Sequence, residues 1–284
     1  MAGTRAAEIS LWYRRTGAPG PVTRRERHPH YAASLVKVPA VLAAHREHEL
    51  GRLDLDTTVP VHDDLPSAVP GPRVRADRGR DEDPEVWRYL GRPVSLRWLC
   101  ARAIVASSNL AFDLLLDRLG TGAIARVAPE GPVVGRAIAD RTAAAAGITN
   151  TATAEATGRL LAGLADGRVA GPRACAQVQE LLAGQQHRDG LLAGVPGGVR
   201  VGGKGGWAEG VRHDAVLVRP DDAPEYVLAV LTTGLPDDRA LDLLRSVSAA
   251  VWRRRADGSA VARFLHERLA RAEEEEPTCR SSKY

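Results

Sequence analysis

The sequence predicts an α+β fold: an antiparallel sheet formed by both chain ends and flanked by helices, with an all-helical subdomain inserted between the two halves. Three observations predict it. Strand-like segments fall near residues 9–27 and again at 199–232, and the long stretch between them carries apolar residues at helical spacing. Residues 226–232 are nearly continuous in apolar side chains, as a central strand is. A helix over about 238–254, with Leu241, Leu244, Val247 and Val251 on one face, closes the order. The expected division is an α/β unit of residues 1–30 plus 196–258, a helical unit of 31–195, and a helical, charged tail of 259–284.

Each element has its local signal. Residues 9–15 have strand composition and end at the turn Thr16-Gly17-Ala18-Pro19-Gly20, after which residues 22–27 suit an edge strand. A helix follows, carrying Ser34 in its first turn and stopping near Gly51. Pro39 is tolerated there because the first turn has no intrahelical N–H bond to lose. Residues 60–97, rich in Pro, Asp and Arg, read as a long irregular surface segment with Trp87 and Tyr89 as packing anchors. Leu96, Leu99, Ala103 and Ile104 mark one helix, and Leu110, Leu114, Leu115 and Leu119 mark a second that ends at Gly120-Thr121-Gly122. Further helices are expected near 153–164 and 175–183. Residues 199–206 and 214–219 read as strands, the first rich in glycine.

Composition limits the function classes. The chain has 284 residues, 44% of them hydrophobic and only 4% aromatic, so Ala, Leu and Val must fill its core. Its 39 basic and 35 acidic residues are interspersed, which argues against nucleic-acid binding, and no segment is long and apolar enough to span a bilayer. The first residues lack the apolar region of an export signal, so a cytoplasmic protein is expected. Cys100, Cys175 and Cys279 are odd in number and widely spaced, and read as free thiols. His45 and His48 on one helix, and His28 with His30, have no partner at metal-site spacing and read as surface histidines. Residues 198–204 match the start of a phosphate-binding loop. The Ser or Thr that would hold Mg²⁺ is missing, however, and a strand follows. No metal or cofactor is expected.

The chemistry-bearing stretch is Ser34-Leu35-Val36-Lys37. Serine becomes a nucleophile beside a base, and a desolvated lysine one helical turn away can supply it. Such a lysine must titrate well below the usual ~10.4. Ser107-Ser108-Asn109 follows at the polar break between two apolar helices, and Lys204-Gly205-Gly206 lies in the glycine-rich strand.

In that order the three elements resemble the class A β-lactamase and penicillin-binding serine hydrolase family, with its Ser-x-x-Lys, Ser-x-Asn and Lys-Thr/Ser-Gly motifs. The resemblance covers most of residues 8–255 and implies a β-lactamase/transpeptidase-like fold. It implies that Ser34 becomes acylated, that Lys37 takes its proton directly or through water, and that Ser107 returns a proton to the leaving nitrogen. Asn109 would bond the substrate's amide and orient Lys37. Lys204 would depress the pKa of Lys37 and attract a substrate carboxylate. Gly206 and Trp207 would line the substrate, the backbone N–H groups of Ser34 and Trp207 forming an oxyanion hole.

The departures are informative. Ser108 stands where the family has Asp, weakening a structural hydrogen-bond network. Gly205 removes a hydroxyl that contacts a substrate carboxylate. The family's Asp-Arg-Thr-Glu segment reads here Asp140-Arg141-Thr142-Ala143, which puts Ala143 where the family has its water-activating glutamate. An alternative alignment brings Glu130 or Asp140 near the site. The expected function is therefore an active-site serine enzyme that forms an acyl-enzyme on Ser34 from a small-molecule or peptide amide, ester or lactam, acting as a specialised hydrolase or acyltransferase. A class A β-lactamase and a covalent acyl-binding protein without turnover are the alternatives. The helix expected beyond residue 259 covers either the body of the fold or a partner.

Overall fold

The computed structural model describes residues 7–71 and 73–274. Four long strands and one short one build the sheet: β1 (Glu8–Arg15), the short β2 (Val22–Arg24), β3 (Arg200–Ala208), β4 (Val211–Arg219) and β5 (Tyr226–Thr233). Their order across it is β2-β1-β5-β4-β3, every pairing antiparallel. The first long strand thus zips onto the last, Glu8 opposite Thr233 and Arg15 opposite Tyr226. β5 is central, as its unbroken apolar run predicts, and β3 is an edge.

Alternation sends the two faces of each strand into different cores. Ile9, Leu11 and Tyr13 pack with Val216, Leu228 and Val230 under helices α6 (Asp237–Arg254) and α7 (Gly258–Glu274). Trp12, Ala215, Leu217, Val227 and Leu231 face the other way, into the large core shared with the helical region. Residue 158, in helix α4 (Ala154–Ala165), is a glycine where the helix crosses Trp12; a Cβ there would lie 2.2 Å from the indole. Helix α7 resolves the choice left open for the residues past 259. Val261 and Leu265 are buried in the sheet's outer core, so this helix covers the body of the fold. Cys279 and the end of the acidic run at Glu273–Glu276 lie outside the described residues.

The helical region holds α1 (Lys37–Glu49), α2 (Leu96–Val105), α3 (Asn109–Val127) and α5 (Pro172–Ala183). Two expectations change here. The chain leaves helical geometry at Gly120 (φ 72°) but re-enters it and continues to Val127, so this glycine bends α3 rather than ending it. Residues 31–195 are also not purely helical, since three short ladders pair His30–Tyr31 with Thr151–Ala152, Thr58–Pro60 with Pro93–Ser95, and Asp64–Leu65 with Val74–Arg75. The stretch 77–85 is ordered by its aspartates. Asp77, Asp81 and Asp83 each accept the backbone N–H two residues on, three successive Asx turns. Cys100 and Cys175 are buried free thiols. The surface reading of two histidines is wrong: His30 and His45 are buried, the first against Ser10 and Thr233 and the second against Gln177.

Candidate active site

Ser34 lies in a 3₁₀ turn, Ala33–Val36, that runs directly into α1 at Lys37. In a 3₁₀ turn residues i and i+3 eclipse, so the lysine stem rises straight over the serine. Lys37 Nζ is 2.9 Å from Ser34 Oγ. The same nitrogen reaches Ser107 O (2.6 Å), Ser107 Oγ (3.2 Å) and Asn109 Oδ1 (2.7 Å). Lys204 Nζ approaches Ser107 Oγ from the strand side at 2.9 Å. All four predicted catalytic residues therefore meet, with one hydroxyl held between two amines.

The backbone is bent to achieve this. Ala33 (φ 45°) and Ser107 (φ 58°) are two of three non-glycine residues with positive φ among those described. Such conformations cost free energy and persist where the surroundings enforce them. A buried histidine anchors the approach to the nucleophile: His213 accepts the Thr232 N–H at Nδ1 and donates from Nε2 to Tyr31 O. Burial lowers its pKa to about 4, keeping the neutral tautomer that both bonds require.

Electrostatics suit a lysine base. Lys37 is 0% exposed, and burial lowers its pKa to about 7 against the opposing pull of Asp81, Asp113, Glu82 and Asp83. Burial, rather than the charge of Lys204, is thus the main cause. Lys204 is itself pushed well below its ordinary value, by burial and then by Lys37, with Asp214 opposing.

The break at Ser108 is compensated from elsewhere in the chain. Asp81 accepts from Ser108 Oγ (3.2 Å), Asn109 N (2.9 Å), Leu110 N (2.9 Å) and Trp87 Nε1 (2.9 Å), placing a carboxylate on the N-terminus of α3. The hydrogen-bond network is refilled, not weakened, and Ser108 Oγ adds a cap on Ala111 N. Asp81→Ala would strip these four donors, and Asp83 N, of their acceptor. It is expected to lower unfolding stability by about 2 kcal/mol in urea titrations. Buried Asp83 pairs with partly exposed Arg102 beside the same turn.

A cavity of about 390 Å³ opens at Ser34, walled by Tyr31, Trp87, Asn109, Asp113, Ile138 and Trp207 among others. Trp87, read from sequence as a packing anchor, is thus also a wall. Asn109 orients Lys37 as expected, but its Nδ2 donates to Arg80 O at 2.7 Å. Gly206 runs against the nucleophile: a Cβ there would sit 3.0 Å from Ser34 N.

The loop does not bring position 143 to the cavity. Ala143 is fully buried in a short helix, Arg141–Ala145, and does not line the cavity; Ile138, Ala139 and Arg141 do. Asp140 is committed to Ala143 N, Ala68 N and Ser67 Oγ, and exposed Glu130 lies in a separate depression with Arg27 and Arg159. Among the carboxyls that line the cavity, with Asp77, Asp81, Glu82 and Glu209, is Asp113, one turn beyond Asn109 on α3. It accepts Ile138 N (2.6 Å) and Ala139 N (3.0 Å), and burial raises its pKa to about 7. Its i+4 spacing from Asn109 was the available signal.

A sequence model of the Beta-lactamase enzyme family matches residues 1–254. The chain belongs to that family. A β-lactamase of Streptomyces lavendulae is 31% identical over 168 residues, which are 54% of this chain and 53% of that protein, so the chain spans about half the length of that curated relative. Among solved structures, PBP-A superposes with a TM-score of 0.73 at 20% identity over 89% of this chain and 91% of the other. A variant of the last common ancestor of Gram-negative bacteria β-lactamase class A reaches 0.75 at 23% identity, covering 92% and 94%. A mutant PBP-A seen as an acyl-enzyme with penicillin G gives 0.72 at 20% identity, covering 87% and 90%. The family is one of β-lactamase-like serine hydrolases, and the fold is theirs.

Proposed function

We propose that the protein forms an acyl-enzyme on Ser34 from an amide, ester or lactam and acts as a specialised hydrolase or acyltransferase. The observation that carries this is the fully buried Lys37 Nζ at 2.9 Å from Ser34 Oγ, with Ser107 Oγ shared between Lys37 and Lys204. Neutral Lys37 takes the serine proton as Oγ attacks the carbonyl, and the backbone N–H groups of Ser34 and Trp207 hold the oxyanion. The proton then passes through Ser107 to the leaving atom, whose bond to the acyl carbon breaks. The PBP-A acyl-enzyme with penicillin G supports this reading by kinship of fold.

Release of the acyl group is where this chain departs. Apolar Ile138 and Ala139 stand where the 136–141 segment faces the cavity, and Asp113 spends its oxygens on their backbone. Of the other carboxylates lining the cavity, Asp81 is held by the N-terminus of α3 and Glu82 by the Trp207 indole, so activation of water is left to groups already engaged, which favours an amine or other acceptor. The second reading, a β-lactam hydrolase of the class A type, is favoured by the family match and the Streptomyces relative.

Intact-mass measurement with penicillin G and an activated ester separates the two. The expected result is a stable adduct that an added amine discharges, absent in Ser34→Ala. Fast β-lactam turnover without an adduct would establish the second reading, and an adduct that no acceptor discharges would mark a covalent binder without turnover.

A further inference from the structure

The Tyr31–Ala32 peptide unit, just ahead of the nucleophile, is gripped at both of its polar atoms. A trans peptide points its C=O and N–H in opposite directions, so bonds to both fix its plane. His213 Nε2 on β4 donates to Tyr31 O at 2.8 Å, and Ala32 N donates to Asn150 O at 3.0 Å. Asn150 is fully buried and is itself locked, its side chain bonding Gly135 N, Arg136 N and Arg136 O. Ala33 follows with φ 45°, and Ser34 comes next. His213 stands opposite Gly206 in the β3–β4 ladder, and a Cβ on Gly206 would lie 3.0 Å from Ser34 N and 3.3 Å from Ala32 O. The approach to Ser34 therefore rests on the strand that carries Trp207, and His213 binds it to the sheet.

His213 is itself held in one orientation. It is 1% exposed, and its Nδ1 accepts the Thr232 N–H at 3.1 Å while Nε2 donates. Behind it His30 packs edge-on, with ring centroids 5.3 Å apart. His30 is fixed in the same manner. Ser10 Oγ donates to Arg25 O, so it accepts from His30 Nε2 at 2.9 Å, and His30 Nδ1 accepts from Thr233 Oγ1 at 2.7 Å. Burial lowers His30 to about 3 and His213 to about 4, so both rings are neutral. Two rigid, buried imidazoles thus back the peptide from which Ser34 N takes its direction.

Taking the Ser34 acyl-enzyme reading as its basis, we propose that His213 is a positioning residue for the oxyanion hole: through Tyr31 O it holds Ser34 N at the separation from Trp207 N at which both donors bond one oxyanion. His213 does not line the cavity, so it acts through the backbone and not on the substrate. A small displacement of one donor weakens a bond that forms only as charge develops on the carbonyl oxygen. The loss then falls on acylation rather than on substrate binding.

Two esters of one acyl group test this: phenyl phenylacetate and the thionoester that has sulfur in place of its carbonyl oxygen. In each, Ser34 Oγ bonds the acyl or thioacyl carbon, the bond to the phenol oxygen breaks, and the serine proton ends on that oxygen. Negative charge collects on oxygen in the first and on sulfur, a weak hydrogen-bond acceptor, in the second. Phenol release and the Ser34 adduct mass are followed together, with rates normalised to the hydroxide reaction of each ester. In His213→Phe, acylation by the oxygen ester is expected to fall about 30-fold and by the thionoester about threefold, so that their ratio drops about tenfold. His213→Gln keeps a donor for Tyr31 O and is expected to hold the ratio within about threefold of that of the unaltered protein. Equal losses for both esters in His213→Phe, or no loss, would overturn the proposal while leaving the Ser34 reading intact. If thermal unfolding shows that His213→Phe does not fold, His213→Gln decides alone, and a collapsed ratio there would assign the effect to ring packing and overturn the proposal. If neither ester marks Ser34, the acyl-enzyme reading itself falls, and this inference falls with it.

Discussion

Acylation of Ser34 is expected to rise about tenfold per pH unit up to about 7 and then level off, and Lys37→Met is expected to lower it by roughly 10³. The sign follows from which form of Lys37 is the base. Its ammonium cannot accept a proton, so below its pKa the reactive fraction falls with each added proton. Burial has brought that pKa from 10.5 to about 7, so near neutral pH a substantial fraction of Lys37 is the neutral amine. Asp81, Asp113, Glu82 and Asp83 pull the other way, so removing one of these charges is expected to move the rate profile toward lower pH. Single-turnover acylation by a neutral activated ester between pH 5 and 9 measures both the inflection and its displacement. A flat profile would show that Lys37 is not the base.

Gly206→Val is expected to slow acylation by about 10² to 10³, while Gly205→Ala leaves it within a few-fold. The two positions are neighbours on β3 but meet different surroundings. A Cβ on Gly206 would already be 3.0 Å from Ser34 N and 3.3 Å from Ala32 O. The branched side chain must push the edge strand away from the nucleophile, separating the two N–H groups that would hold the oxyanion. A Cβ on Gly205 meets nothing nearer than 3.6 Å, ordinary contact. Acylation rates of both variants, with thermal unfolding as a control for folding, check the contrast. Equal losses at the two positions would mean that strand integrity, and not the approach to Ser34, governs the rate.

What the sequence discloses about this site depends on how local each contact is. Ser34 and Lys37 are one turn apart, so their meeting is written in three residues. Ser107 and Lys204 were placed by the order of their motifs, and the observed 2.9 Å contact agrees. The hold of Asp81 on α3 was invisible because the donors there lie twenty-seven to twenty-nine positions along the chain and nothing local marks the pairing. The burial of Ala143 has a clear physical origin. The shared Asp-Arg-Thr set the alignment, but here Asp140 turns inward to cap its own short helix and hold residues 67–68. The loop therefore reaches the cavity earlier, at Ile138 and Ala139. The Trp207–Glu82 bond joins residues 125 apart, and only the folded chain brings them together.

The position of β1 in the sheet has a consequence during synthesis. Its two neighbours are β2, made at once, and β5, made some two hundred residues later. Until Thr233 has left the ribosome, the earliest strand has a single three-residue partner on one side and an open edge on the other. Lys204, too, is missing until late. A nascent chain that carries Ser34 and Lys37 therefore still lacks Lys204, and β1 keeps an exposed edge, open to other chains, until β5 is made. Ser34 is made long before Lys204 and β5, and it acquires its setting only when both have been added.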